Sequence, residues 1–305
     1  MGKTAFMFPG QGAQYIGMGK DFYEASATAK RIFDTASDIL GFSMTELVFE
    51  ENDRLNITEY TQAAMLTTSA AMLEVLKEKG AVSDVNAGLS LGEYGALIAS
   101  GVMTFEDAVK VVRKRGIYMQ EEVPQGLGAM AAVLALDIST IEKVCEETEG
   151  IVTVANYNCP GQIVISGETD AVAKASEKLK EAGAKRVVPL NVSGPFHSKM
   201  LEGAGVKLAA VLDTVAIANP TVPYITNVTA EYVRDNSQIK ELLCRQVSSS
   251  VMWQQSVERM IADGVDTFVE IGPGKTLTSF VKKINREVKT INIEKYEDIS
   301  KWGEQ

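Results

Sequence analysis

The sequence predicts an α/β chain in two parts: a large α/β domain around a parallel sheet, interrupted by a small inserted domain of β-α-β-β-α-β order. Three observations predict it. Short apolar runs alternate with long helical patterns before position 125 and again after position 194, as a parallel sheet with crossover helices requires. Between them, roughly 65 residues hold a complete β-α-β-β-α-β run, the ferredoxin-like plan. A length of 305 residues suits two domains, or one large domain with an insertion. The expected division is 1–125 with 194–305 for the large domain, and 126–193 for the insertion.

The chain opens with a strand over residues 4–8, stopped by Pro9-Gly10-Gln11-Gly12. A glycine-rich loop after a first strand invites a phosphate-binding reading, which the residues oppose. Tyr15 stands where Gly-x-Gly-x-x-Gly needs its third glycine, and Asp21 follows Gly19-Lys20. Ahead of Gly274-Lys275-Thr276, Val269 occupies the first P-loop glycine position. A loop of this kind at the carboxyl end of a strand can instead line a site with its amides.

Residues 20–49 and 61–79 read as helices, the second buried along its Ala/Met/Leu-rich stretch 63–76, with Gln62 at its start. Residues 85–88 form a strand leading into Gly88-Leu89-Ser90-Leu91-Gly92, and 91–99 a helix ended at Gly101. Thr104-Phe105-Glu106-Asp107 resembles a capping box for a helix running to 121. On that helix Ala108, Val111, Val112 and Met119 share a face, and Arg115 falls on it. An inward arginine needs an anionic partner, because an unpaired buried charge is very costly. A structural salt bridge to some Asp or Glu, or a snorkelling edge position, would also account for it.

In the insertion, strands are expected at 130–136, 151–156, 162–166 and 185–192, with helices at 139–147 and 168–182 and a turn at Asn158-Cys159-Pro160-Gly161. The large domain resumes with Gly194-Pro195-Phe196-His197 and a helix to about 215. A strand at 222–227, helices at 237–247 and 253–263, a strand at 267–271 and a helix at 276–285 complete it. From 297 onward there is no clear signal.

Composition narrows the function classes. With 46% hydrophobic and 23% charged residues the chain is that of an ordinary globular protein. No apolar run reaches the roughly 18 residues of a membrane span, and the N-terminus lacks the marks of a secretory signal, so the cytoplasm is expected. A net charge of −10 argues against a general nucleic-acid binder. Cys145, Cys159 and Cys244 are widely spaced and odd in number, which indicates neither a zinc site nor a disulfide framework.

Gly88-Leu89-Ser90-Leu91-Gly92 sits between a strand and a helix, the setting of an α/β-hydrolase-like nucleophile elbow. There the serine is forced out on a tight turn, and the next amides open a helix and point where an oxyanion would form. A plain glycine-rich turn would give the same string. The chain contains a single histidine, so an imidazole base for Ser90 can only be His197. On its own, His197 also reads as an ordinary exposed loop residue.

Taken together, the motifs resemble those of the malonyl-CoA:acyl-carrier-protein transacylase family along nearly the whole chain. The matching stretches are Phe8-Pro9-Gly10-Gln11-Gly12, Leu89-Ser90-Leu91-Gly92-Glu93-Tyr94, Arg115-Gly116 with Met119-Gln120, and Asn158-Cys159-Pro160-Gly161-Gln162. Phe196-His197, Trp253 with Ser256-Val257, and Glu270-Ile271-Gly272-Pro273-Gly274 complete the set. The resemblance implies that Ser90 accepts the acyl group and that His197 is its general base, oriented by a backbone carbonyl near Gln246. It implies backbone amides of Gln11 and Leu91 as the oxyanion hole. Arg115 would grip the malonyl carboxylate with help from Gln62, a pairing that separates malonyl from acetyl. Phe196 would fill the space that an α-methyl branch needs. The family has Gly-His-Ser-Leu-Gly, whereas Leu89 replaces that histidine here.

The implied reaction is a ping-pong malonyl transfer from malonyl-CoA to the phosphopantetheine thiol of acyl carrier protein, with no metal or redox cofactor. Docking of that acidic partner needs a basic patch, for which Lys185, Arg186, Lys199, Lys282, Lys283 and Arg286 are candidates. A monomer is expected. The rival readings are a serine hydrolase or thioesterase, a polyketide-pathway acyltransferase, and a non-catalytic interaction protein.

Overall fold

The computed structural model describes residues 2–192 and 194–303. Met1, Ser193 and Gln305, on which three of the expected domain limits fall, lie outside the described residues, as does Glu304. Strand β1 (Lys3–Phe8) leads to helices α1 (Lys20–Ala25), α2 (Ala27–Leu40), α3 (Met44–Phe49) and α4 (Thr58–Glu78). Strand β2 (Val85–Gly88) leads to α5 (Gly92–Ala99) and α6 (Phe105–Glu121). Next come β3 (Gly128–Leu134), α7 (Ile138–Glu146), β4 (Val152–Cys159), β5 (Gln162–Glu168), α8 (Thr169–Glu181) and β6 (Arg186–Pro189). The chain continues with α9 (Glu202–Leu212), β7 (Tyr224–Ile225), β8 (Tyr232–Val233), α10 (Ile239–Gln246) and α11 (Trp253–Ala262). It ends with β9 (Val265–Ile271), α12 (Thr276–Ile284), β10 (Lys289–Ile293) and α13 (Ser300–Gly303).

The strands form two sheets, one of six in the order β10-β9-β1-β2-β7-β8 and one of four in the order β4-β5-β3-β6. The first is parallel except for the β7–β8 pair, and the second is antiparallel throughout. The mixed α/β class is therefore as the sequence predicts, and the four-stranded sheet has the ferredoxin-like order. In β1, Phe6 and Phe8 enter one apolar cluster while Ala5 and Met7 enter another on the opposite face. Both faces of this central strand are covered, which is why it reads as a continuous apolar run. Helix α4 is buried nearly all round and packs between α2 and α6. Among the described residues, no helix is long and apolar enough to cross a membrane.

Several expected boundaries move for local reasons. The stretch 20–49 is three helices, because Ser26 caps α2, Gly41 ends it in the left-handed region at φ 73°, and Ser43 caps α3. The strand expected at 222–227 shrinks to Tyr224–Ile225, because the chain turns after Thr226, whose carbonyl accepts from Ala230 N at 3.1 Å. The sequence does not signal strand β10: only Ile291 and Ile293 are buried on it, too short an alternation to stand out. The segment after 297 is helical, and Trp302 packs edge-on against Phe6.

Candidate active site

The elbow is built by steric exclusion. Ser90 sits between β2 and α5 at φ 52°, a left-handed conformation uncommon for a residue with a side chain. A Cβ on Gly88 would lie 1.9 Å from Gly92 O, and one on Gly92 would lie 2.0 Å from Phe8 O. No side chain fits at either position, so both glycines are required for the turn. Asn227 then clamps it: its Oδ1 accepts from Ser90 N at 2.6 Å, and its Nδ2 donates to Gly88 O at 2.7 Å.

Ser90 Oγ lies 2.7 Å from His197 Nε2. His197 Nδ1 faces the carbonyl oxygens of Gln246 at 2.9 Å and Ser249 at 3.1 Å. A carbonyl can only accept, so Nδ1 carries the proton and Nε2 presents a lone pair to the hydroxyl. Burial, reinforced by the Arg115 charge, lowers the imidazole pKa to about 4, leaving it neutral near pH 7. The imidazole therefore faces the backbone carbonyl of Gln246 and, beside it, that of Ser249, which the sequence does not signal. The loop carrying Ser249 is held by the small sheet: Val251 N donates to Ala155 O at 2.8 Å, and Ser250 Oγ to Val154 O at 2.6 Å.

Arg115 projects from α6 into the same space and is 1% exposed. Its Nη1 donates to Gln62 Oε1 at 2.8 Å, and its Nη2 to Gln246 Oε1 at 2.9 Å and Ser90 Oγ at 3.3 Å. The guanidinium lies 5.8 Å from the Tyr94 ring centroid. Arg115 makes no ion pair among the described residues, and its buried Nε–H has no acceptor. A desolvated guanidinium held by neutral amides beside the Ser90 hydroxyl is a ready anion site. Neither a structural salt bridge nor an edge position describes it.

The loop 9–12 runs beside the elbow, since Leu89 N donates to Phe8 O at 3.0 Å and a Cβ on Gly10 would come within 2.5 Å of Leu89 O. Gln11 is fixed by its side chain, which donates to Thr58 Oγ1 at 3.2 Å. Leu91 stands at the N-terminus of α5. Phe196 is buried immediately before His197, and Leu89 is half-buried against the second apolar cluster. Lys185, Arg186, Lys199, Lys282, Lys283 and Arg286 are all exposed, and Lys283 Nζ donates to Gln162 Oε1 at 3.3 Å.

Sequence reasoning assigned no role to Asn227 or Glu93. Glu93 is fully buried on α5, where its Oε2 accepts from Gln246 Nε2 at 2.6 Å and Asn227 N at 3.2 Å. Burial raises its pKa to about 7, against the lowering effect of those donors and the Arg115 charge. The available signal was a lone charge inside the apolar run Gly92-Glu93-Tyr94-Gly95-Ala96-Leu97. Nothing around Asn227 in the sequence marks it.

The acyl transferase domain family matches this chain over residues 5–302. The chain is 50% identical over 303 residues to the malonyl CoA-acyl carrier protein transacylase of Bacillus subtilis (strain 168), covering 98% of this chain and 96% of that protein. The crystal structure of malonyl CoA-acyl carrier protein transacylase from Clostridium perfringens Atcc 13124 superposes with a TM-score of 0.96 at 46% identity, over 99% of this chain and 96% of that one. A malonyl-transacylase solved with its type II PKS acyl-carrier protein superposes with a TM-score of 0.95 at 39% identity, over 98% of each chain.

Proposed function

The chain belongs to the acyl transferase domain family, and we propose that it moves a malonyl group from malonyl-CoA to the phosphopantetheine thiol of acyl carrier protein, for fatty-acid synthesis. The observation that carries this reading is the position of one oxygen: Ser90 Oγ lies 2.7 Å from His197 Nε2 and 3.3 Å from Arg115 Nη2.

In the first step Ser90 Oγ attacks the thioester carbonyl while Nε2 takes its proton. The resulting imidazolium is stabilised by Nδ1–H donation to Gln246 O and Ser249 O, in place of a triad carboxylate. Amides of Gln11 and Leu91 receive the oxyanion, a kind of contact worth roughly 3–4 kcal/mol per donor. The C–S bond then breaks and the imidazolium protonates the departing CoA thiolate. In the second step the carrier thiol gives its proton to Nε2, attacks the malonyl ester and regenerates Ser90. The acyl group rides on Ser90 throughout, so the cycle needs no resident metal or redox group.

Arg115 selects the acyl group. A malonyl carboxylate supplies the anion that the buried guanidinium lacks, and an acetyl group cannot. Phe196, next to the base, fills the volume into which an α-methyl branch would project. The carrier protein docks on the exposed cations at Lys185, Arg186, Lys199, Lys282, Lys283 and Arg286, and the enzyme works as a cytoplasmic monomer.

The test is a transfer assay with malonyl-CoA and holo carrier protein, following both malonyl-carrier protein and free malonate. Malonyl-carrier protein is the expected product. Free malonate released as fast without carrier protein would make the chain a hydrolase. Reversing the charge of Lys282 and Lys283 is expected to raise KM for the carrier protein while self-acylation is unchanged; an unchanged KM removes that pair from the docking face.

A further inference from the structure

We propose that Glu93 is a positioning residue for acyl-group selection: it fixes the direction of the Gln246 side-chain amide, and through it the guanidinium of Arg115. The inference rests on the malonyl-transfer reading above.

Gln246 is the node where the site's parts meet. Its backbone oxygen accepts from His197, its Oε1 accepts from Arg115 Nη2, and its Nε2 donates to Ser90 O at 3.0 Å and to Glu93 Oε2 at 2.6 Å. Both Nε2 hydrogens are therefore committed, and Oε1 is left to face the arginine. The reversed amide would set an NH2 against the guanidinium, donor to donor, in a buried site. The Ser90 carbonyl can only accept, and Glu93 Oε2 makes the shorter of the two contacts to Nε2, so Glu93 reinforces the direction in which the amide points.

The other amide on Arg115 has no such backing. Gln62 Oε1 receives Nη1, but Gln62 Nε2 faces the weakly accepting Met119 Sδ at 3.5 Å. Direction at Nη1 is thus loosely set, whereas direction at Nη2 is set by Glu93 together with the Ser90 carbonyl. Glu93 is also the carboxylate whose charge offsets the burial of Arg115, which otherwise lowers the guanidinium pKa. Its second donor, Asn227 N, leads to the elbow and so affects every acyl group alike. Acetyl-CoA, which has no carboxylate for Arg115 to hold, separates the two effects.

The experiment measures kcat and KM with malonyl-CoA and acetyl-CoA for wild type, Glu93→Gln, Gln246→Met, Arg115→Ala and the Glu93→Gln/Arg115→Ala pair. Glu93→Gln preserves shape while weakening the hold on the amide, because one of the two acceptors of Nε2 loses its charge. Its kcat/KM for malonyl-CoA is expected to fall about tenfold, chiefly through KM, with the acetyl-CoA value within about twofold. Gln246→Met, which cuts the link from the other side, should reproduce the loss in discrimination, and keeps the proposal testable should Glu93→Gln not fold. In the Arg115→Ala background Glu93→Gln should add nothing for malonyl-CoA. Equal losses for both acyl groups, unchanged discrimination, or additive losses in the pair would overturn the proposal. Wild type with no preference for malonyl over acetyl would overturn the functional reading beneath it.

Discussion

Ser90 and His197, 107 positions apart in sequence, meet at 2.7 Å, and both are held at positive φ, 52° and 59°. Backbone conformations uncommon for side-chain-bearing residues thus meet at one hydrogen-bonded pair, and both partners are held by their surroundings. The elbow is enforced by Gly88, Gly92 and Asn227, and the imidazole by the carbonyls of Gln246 and Ser249.

The elbow glycines should be intolerant of any side chain. Gly92→Ala brings a methyl to 2.0 Å from the backbone oxygen of Phe8, which no rotamer can relieve. A loss above about 3 kcal/mol is expected in urea unfolding, together with loss of acylation. Wild-type stability in this variant would mean that the turn is not as described.

Asn227→Leu should uncover the elbow without touching substrate. Ser90 N and Gly88 O would each lose a partner inside the protein, at about 1–3 kcal/mol per unsatisfied group. Chemical denaturation should register that loss, and kcat for malonyl-CoA and acetyl-CoA should fall alike. An acyl-selective effect would contradict the clamp.

The pH profile should be displaced to acid. With His197 at about 4, kcat/KM for acetyl-CoA, which bypasses Arg115, should stay level from pH 8 to about pH 5 and fall near pH 4. The same depression affects stability. Its contribution is full above the unfolded value near 6.5 and is lost as pH falls towards 4, because the unfolded chain binds the proton first. An acid limb near 6.5 would show that the imidazole is not desolvated.

Glu270 caps α12, its two oxygens accepting from Leu277 N at 3.0 Å and Thr278 N at 2.8 Å. Burial raises its pKa to about 7. A raised carboxylate contributes stability that is present below the unfolded value near 4.5 and lost as pH rises through 7. Glu270→Gln should therefore narrow the difference in unfolding free energy between pH 5 and pH 8. An undiminished difference would assign the slope to other groups.

Phe196→Ala should open the acyl pocket next to the base. Methylmalonyl-CoA is expected to gain in kcat/KM relative to malonyl-CoA, measured by competition and mass of the acyl-enzyme. No change in that ratio would remove Phe196 from the selection.

Much of this was legible in the sequence where a single residue type had no substitute. Ser90 between glycines, the sole imidazole at His197 and the inward Arg115 were each marked by pattern or by scarcity. The four-stranded sheet was legible because its elements are consecutive and strongly periodic. What stayed hidden depends on contacts between distant segments. Asn227 reaches 137 positions back to Ser90, and Glu93 reaches 153 positions forward to Gln246; no local rule encodes such pairings. Ser249 meets the imidazole through its backbone, and a backbone carbonyl leaves no mark on residue identity. The three helices of 20–49 look like one in the sequence because the apolar period continues across Ser26 and Gly41, and only the caps divide it.

Intact mass spectrometry of the protein after brief exposure to malonyl-CoA tests the central claim most directly. One malonyl adduct on wild type, absent from Ser90→Ala and discharged on adding holo carrier protein, is the predicted result. A wild type that never acquires the adduct, or a Ser90→Ala variant that acquires it equally, would contradict the account.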